Sequence, residues 1–162
     1  MTGGIVAFED WYRANYGAVL AALVLFCAGD HDRAEDATND AFVAAFEQWP
    51  KVTQMESPVG WVVRVGINSV KRRSRRRKRR VELLNAERIV RVTEDQGSDI
   101  DLLAAMAELS ERQRKALVLR YVEDLTQADV AKRMDVAVGT ASATLAQARD
   151  RLRSNLDERE IS

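Results

Sequence analysis

The chain is short of the residues that carry most covalent and metal chemistry. One cysteine, Cys27, among 162 residues excludes an intrachain disulfide and fits a reducing compartment. At the end of an apolar helix face it reads as a small buried hydrophobe rather than a nucleophile. A single histidine, His31, leaves too few parts for a His-based metal site or a Ser-His-Asp triad. No glycine-rich phosphate loop occurs. With only eight glycines and two prolines, the composition favours helices over strands. The longest apolar run, Ala18 to Ala28, is too short to cross a bilayer. No charged segment precedes an apolar run at the N-terminus, so no signal peptide is expected. These absences describe a soluble, cytoplasmic, non-catalytic protein with no cofactor, metal, membrane or small-molecule substrate.

What is abundant is positive charge in one place. The run Arg64 to Arg80, RVGINSVKRRSRRRKRR, holds ten of the twenty-five Lys and Arg residues in seventeen positions and contains no acid. Residues 1–63 hold three bases against nine acids, and residues 81–162 twelve bases against sixteen. The zero net charge is thus the sum of −6, +10 and −4. A field so concentrated needs a polyanion or an acidic surface to neutralise it. Nucleic acid is the first candidate; a solvated basic tail is the bland one.

Helical periodicity appears almost everywhere and strand alternation almost nowhere. Phe8, Trp11, Tyr12, Tyr16, Val19, Leu20, Leu23 and Val24 recur at spacings of three and four, predicting a first helix. Gly29-Asp30-His31-Asp32 is a turn. A second helix places Ala34, Ala37, Ala41, Phe42, Ala45, Phe46 and Trp49 on one face, and Glu35, Asp36, Asn39 and Asp40 on the other. Pro50 is expected to end it, with Lys51 to Glu56 as polar loop. Ser57-Pro58 reads as N-cap and first residue of a third helix that runs through Trp61, Val62, Val65 and Val70 into the arginines.

Weak periodicity and an acidic end make residues 82–101 the expected linker between domains at 1–81 and 102–158. Leu102, Leu103, Met106 and Leu109 predict a short amphipathic helix. Ser110-Glu111-Arg112-Gln113 is a capping box that opens the next, carrying Leu117, Tyr121 and Val122. Thr126 to Leu145 then fits a helix-turn-helix. Thr126 caps a helix with Val130, Ala131 and Met134 inward, and Asp135 sits where a left-handed backbone is needed. Thr140 is expected to cap the second helix, whose Ala141, Leu145, Ala148, Leu152 and Leu156 form the inward stripe. Ser142, Ala143, Thr144, Gln147, Arg149 and Arg151 point outward. An ordinary helical hairpin shares the caps and the stripe. The expected fold is all-α: two small helical domains on a short linker, the second a helix-turn-helix.

The segment Arg33 to Phe42, RAEDATNDAF, resembles the core-polymerase-binding helix of extracytoplasmic-function sigma factors. Trp61, Asn68 and the bases that follow are similar to that family's promoter-melting helix. Leu109 to Arg114, Leu119-Arg120-Tyr121 and Val138-Gly139-Thr140 are similar to its C-terminal promoter-reading domain. The resemblance runs from about Phe8 to Leu152, its motifs in the family's order. The compact length and the richness in Ala and Arg resemble a small actinobacterial-type member.

The resemblance implies a transcription initiation factor that binds core polymerase, selects promoters and assists their melting. Glu35, Asp36, Asn39, Asp40 and Phe42 would dock on the clamp of the largest subunit, and the polymerase flap is a further implied contact. On charge alone that acidic face is a solvated one. Trp61, Arg64, Asn68, Lys71, Arg72 and Arg73 would hold the non-template strand by stacking and phosphate neutralisation, with Val52 to Glu56 at a pocket for a flipped base. Core packing is the competing role for Trp61. Arg112, Arg114 and Lys115 would touch phosphates, while Thr140, Ser142, Ala143, Thr144 and Gln147 would meet bases. Thr126, Gly139, Arg149 and Arg151 complete the DNA-facing set. The chain departs from the family in its recognition helix, whose first basic residue is Arg149. An anti-sigma factor is a further implied partner. The alternatives are a stand-alone helix-turn-helix regulator that binds duplex without polymerase, and an interaction protein whose basic run meets an acidic or membrane surface.

Overall fold

A computed structural model describes residues 2–84 and 97–161. The chain divides into two compact units, Met1–Val92 and Thr93–Ser162. Each is helical throughout its described elements.

In the first unit, α1 (Thr2–Phe26), α2 (His31–Glu47) and α4 (Pro58–Leu84) pack on one another, with the short α3 (Trp49–Val52) between α2 and α4. Helix α1 begins six residues before the first apolar position of the expected stripe, Phe8. It ends in a Schellman motif: the Gly29 amide donates to the Val24 carbonyl at 3.0 Å and the Ala28 amide to that of Leu25 at 3.2 Å. Ala28 holds the left-handed position there, at φ 54°. Asp30 caps α2, its carboxylate accepting from the Arg33 amide at 3.2 Å. The buried face of α2 is built mostly from small residues, Ala34, Ala37, Thr38, Ala41 and Ala45. Small side chains let neighbouring helices approach closely, and Gly66 on α4 does the same against Leu23: a Cβ at Gly66 would lie 2.5 Å from a Leu23 methyl carbon. Leu23, Phe26, Ile67 and Val62 fill the centre. Burying side chains of this size stabilises by about 1.5–3 kcal/mol each.

Two expectations change here. Pro50 opens α3 instead of terminating a helix, because its missing amide is harmless in a first turn. Lys51 and Val52 are therefore helical, and Val52 is fully buried. Ser57 caps α4 as expected, accepting from the Gly60 amide at 3.1 Å. The expected linker is helical at its described ends: α4 reaches Leu84 and α5 begins at Gly97. Its middle, residues 85–96, lies outside the described residues.

In the second unit, α8 (Val138–Glu160) packs against α5 (Gly97–Ala107), α6 (Glu111–Leu117) and α7 (Gln127–Met134). Both halves of the Ser110–Gln113 capping box are formed. Helix α6 continues as a wide π-type turn over Val118–Val122. Thr126 caps α7, accepting from the Asp129 amide at 3.2 Å. Asp135 closes α7 at φ 54°, ψ 51°, the left-handed conformation expected of it. Val136 donates to the Ala131 carbonyl at 3.0 Å and completes a second Schellman motif. That closure lets α8 begin at Val138, after Ala137, with no side-chain cap. Thr140 is therefore inside the first turn and does not cap the helix. Its carbonyl accepts from the Thr144 hydroxyl at 2.9 Å.

Candidate nucleic-acid interfaces and docking face

The seam between α2 and α4 is polar at its surface edge. Asp40 accepts two bonds from the Arg73 guanidinium, at 2.8 and 2.9 Å, and one from the Ser69 hydroxyl at 2.5 Å. Asp36 lies 3.7 Å from the same guanidinium. One turn further, Arg33 donates to the Ser74 hydroxyl. The Arg73 bonds hold the Asp40 carboxyl below its ordinary range, against a smaller upward push from burial. Asp40 in turn raises the Arg73 guanidinium above its usual value. The resemblance sends Asp40 to the polymerase and Arg73 to DNA; in the free chain each is instead the other's partner. Sequence spacing could not show this, because the two positions meet only when α2 packs on α4.

Phe42 is a correction. It is 3% exposed and lies among Trp11, Tyr12 and Tyr16, with ring centroids 5.6, 4.9 and 5.8 Å away. It packs α1 against α2, so its ring lies in the core and not on the exposed side of α2. The exposed side of α2 carries Glu35, Asp36 and Asn39, then Val43 and Phe46, which are 58% and 50% exposed. Asn39 accepts from the Tyr16 hydroxyl at 3.4 Å. Burial raises the Tyr16 pKa, with smaller contributions from Tyr12 and Glu35.

Along α4, the positions 61, 65, 68, 72, 75 and 79 recur at spacings of four and three and so share a side. Asn68, Arg72, Arg75, Arg76 and Arg79 line an open cavity of about 420 Å³ there. Trp61, two turns before Asn68, is half-buried, as are Arg64 and Lys71. Val52 is core rather than pocket, which leaves Thr53 to Glu56 as the exposed or half-exposed part of the segment ahead of α4.

In the second unit, Ala143, Gln147 and Arg151 are exposed along α8, with Gly139 and Thr140 in its first turn and Thr144 half-buried beside them. Two of the outward set turn to a flank. The Ser142 hydroxyl donates to Gln127 Oε1 at 2.8 Å, tying α8 to α7. Arg149 donates to the Tyr121 hydroxyl at 3.1 Å. Arg112 is exposed and Lys115 half-buried. Arg114, expected at a phosphate, is half-buried and donates to the Leu109 carbonyl at 2.6 Å, inside its own unit. Gln127 and Tyr121 were absent from the sequence-based set. Both lie outside the recognition helix, and only the packing of α7 and the π-type turn on α8 brings them in.

A helical unit with a basic surface helix, followed by a helix-turn-helix unit, defines a two-domain DNA-binding protein. The family model for sigma-70 region 2 matches residues 11–80, and that for sigma-70 region 4 matches residues 99–152. The RNA polymerase sigma-E factor of Streptomyces avermitilis is 25% identical over 164 residues, spanning 98% of this chain and 90% of the relative. That of Streptomyces antibioticus is 27% identical over 162 residues, spanning 98% and 89%. The sigma factor RpoE of Bartonella quintana, solved with the anti-sigma factor NepR, superposes with a TM-score of 0.81 at 23% identity, covering 93% of this chain and 97% of that one. CnrH, solved with the cytosolic domain of CnrY, gives 0.61 at 21% identity, covering 97% and 92%. At those identities the two structures show a common fold.

The chain belongs to the sigma-70 family, as an RNA polymerase sigma factor of the extracytoplasmic-function type. It is a transcription initiation factor and not an enzyme, and its partners are core RNA polymerase and promoter DNA. No described helix is long and apolar enough to cross a membrane.

Proposed function

We propose a division of labour among three surfaces of this sigma factor. The exposed side of α2, Glu35, Asp36 and Asn39 extended by Val43 and Phe46, docks on the clamp of the polymerase's largest subunit. The α4 side that runs from Trp61 through Asn68 and Arg72 holds the non-template strand of the start-proximal element, Trp61 offering a stacking face and the arginines neutralising phosphates. The α8 face of Thr140, Ala143, Thr144 and Gln147 reads base edges of the start-distal element. Gln suits adenine there, and the Thr and Ala methyls suit thymine. The observation that carries the assignment is the shared side of α4, on which an aromatic, an amide and three guanidinium groups follow one another without an acid. The protein acts in the cytoplasm, where core polymerase is. Bartonella quintana RpoE was solved with an anti-sigma factor, which supports a similar silencing partner for this chain.

Run-off transcription with core polymerase on genomic fragments gives the promoters, as starts that require this chain. Permanganate reactivity of thymines then reads strand opening. Trp61→Ala with Asn68→Ala is expected to lose the reactive thymines while still co-eluting with core polymerase. Opening that survives both substitutions would overturn the α4 assignment.

A further inference from the structure

Tyr121 is an aromatic ring that the core does not use. It stands in the π-type turn Val118–Val122, two residues after the fully buried Leu119, and is 54% exposed. The turn is closed by the Glu123 amide, which donates to the Val118 carbonyl at 3.1 Å. Wide turns of this kind are rare and concentrate at functional sites. Here the turn sets Tyr121 against α8, where its hydroxyl accepts from the Arg149 guanidinium at 3.1 Å. The ring is held as well: the Arg120 guanidinium lies 5.6 Å from its centroid. Arg120 in turn donates to the Leu125 carbonyl at 3.1 Å and lies 3.8 Å from the Asp124 carboxylate. A chain of contacts thus runs from the turn ahead of α7, through Arg120 and Tyr121, to Arg149. Arg149 is exposed, and among the described residues that hydroxyl is its one partner, so no carboxylate offsets its charge.

We propose that Tyr121 is a positioning residue for promoter binding: it aims Arg149 at a phosphate of the start-distal duplex and so fixes the register of α8. The inference deepens the proposed function and rests on α8 entering the major groove. Arg149 follows Gln147 by two residues and lies roughly 200° around the helix from it, so the two do not meet the same base edges. A helix about 10–12 Å across fills a groove about 12 Å wide, and side chains turned from its floor meet the phosphates of the rim. Such contacts carry no sequence information, yet they set how a recognition helix sits over the bases. That duty falls on Arg149 because no Lys or Arg precedes it on α8. A free arginine loses rotamer freedom when it binds. One already tied to a phenol loses less, and the tie leaves most of its N–H donors for a phosphate. A neutral acceptor suits the task where a carboxylate would not, since it orients the guanidinium without neutralising it.

The test is a double-mutant cycle in the full chain assembled with core polymerase, read by salt titrations of anisotropy on a duplex that carries the start-distal element. Arg149→Ala is expected to lower the log–log salt slope by about 0.9, one phosphate contact. Tyr121→Phe keeps both the ring and the Arg149 charge. It is expected to weaken binding about two- to tenfold at every salt concentration, with the slope unchanged. In the Arg149→Ala background, Tyr121→Phe is expected to have no effect. A loss from Tyr121→Phe that persists without Arg149 would overturn the proposal, because Tyr121 would then act through the fold or touch DNA itself. Wild-type binding by Tyr121→Phe would overturn it too, as would an unaltered slope in Arg149→Ala. Repeating the cycle on a duplex of scrambled sequence separates this inference from the reading beneath it. Equal affinity for the two duplexes would count against base reading by α8, whereas the coupling of Tyr121 to Arg149 is expected on both, since a phosphate contact needs no matched base.

Discussion

Asp40 on α2 grips the Arg73 guanidinium of α4 with both carboxylate oxygens, at 2.8 and 2.9 Å, so the helix proposed to dock on polymerase and the helix proposed to hold the strand are tied through one guanidinium. The pair is half open to water, with side-chain exposures of 31% and 48%, and screening keeps its worth to about 0.2–1 kcal/mol.

The sign of its pH dependence follows from the lowered Asp40 pKa. A carboxyl that ionises more readily folded than unfolded adds stability that is fully present above its unfolded pKa, near 3.9, and is lost as pH falls through the folded value. The protection of the α2 and α4 amides, taken relative to their intrinsic exchange rate at each pH, should therefore fall on acidification below about pH 4 by more in the wild type than in Asp40→Asn. Parallel pH profiles for the two proteins would show the pair to be without consequence.

Phe42 and Asp36, six residues apart on one helix, should fail in different ways. Truncating a buried aromatic costs about 3–5 kcal/mol, so Phe42→Ala should unfold much of the first unit and lose polymerase association only as a result. Asp36→Arg reverses an exposed charge. It should keep its helical circular dichroism and lose co-elution with core polymerase. Undiminished co-elution of Asp36→Arg would remove α2 from the docking face.

Asp135 pays twice for its position, in a left-handed backbone and as a negative charge at the C-terminus of α7. Asp135→Gly should raise the stability of the second unit by about 0.5–1 kcal/mol, since glycine meets no steric penalty there and the unfavourable dipole contact of about 0.3–1 kcal/mol disappears. Asp135→Asn should recover the dipole part alone. Denaturant midpoints of the three proteins check the order Gly, Asn, Asp.

On α8, Gln147 and Ser142 are both polar, yet only Gln147 is free of α7. Gln147→Ala should change which base is preferred at one position of the start-distal element, by about 1–3 kcal/mol of discrimination. Ser142→Ala removes the bond to Gln127 and should weaken binding to all promoters alike, by roughly 0.5–1.5 kcal/mol through the helix-turn-helix itself. Selection from a randomised promoter library distinguishes a shifted preference from a uniform loss.

Local chemistry made much of this fold legible before any coordinates. The caps at Ser57, Ser110 and Thr126 and the left-handed Asp135 each depend on a few adjacent residues, and each stands where the pattern put it. What failed was set by neighbours distant in sequence. Phe42 and Phe46 share an apolar face by spacing, and only the approach of Trp11, Tyr12 and Tyr16 buries one and leaves the other exposed. Thr140 looked like a cap because nothing in its own vicinity reveals that the chain closes at Val136 and re-enters a helix at Val138. The arginines are harder still. A run without apolar punctuation has no visible face, and Arg73 and Arg72 are equivalent until α2 lies against one of them.

All three tryptophans, Trp11, Trp49 and Trp61, fall in the first unit, and the first two touch with ring centroids 5.0 Å apart. The chain is thereby optically lopsided. Intrinsic fluorescence excited in the tryptophan band reports the first unit alone, while the second is dark. Trp11 and Trp49 are coupled emitters where α1 meets α3, and Trp61 stands apart on α4, where a stacked base would quench it. A Trp61→Phe variant would separate the two signals, so that assembly with polymerase and capture of the strand could be timed on one unlabelled molecule.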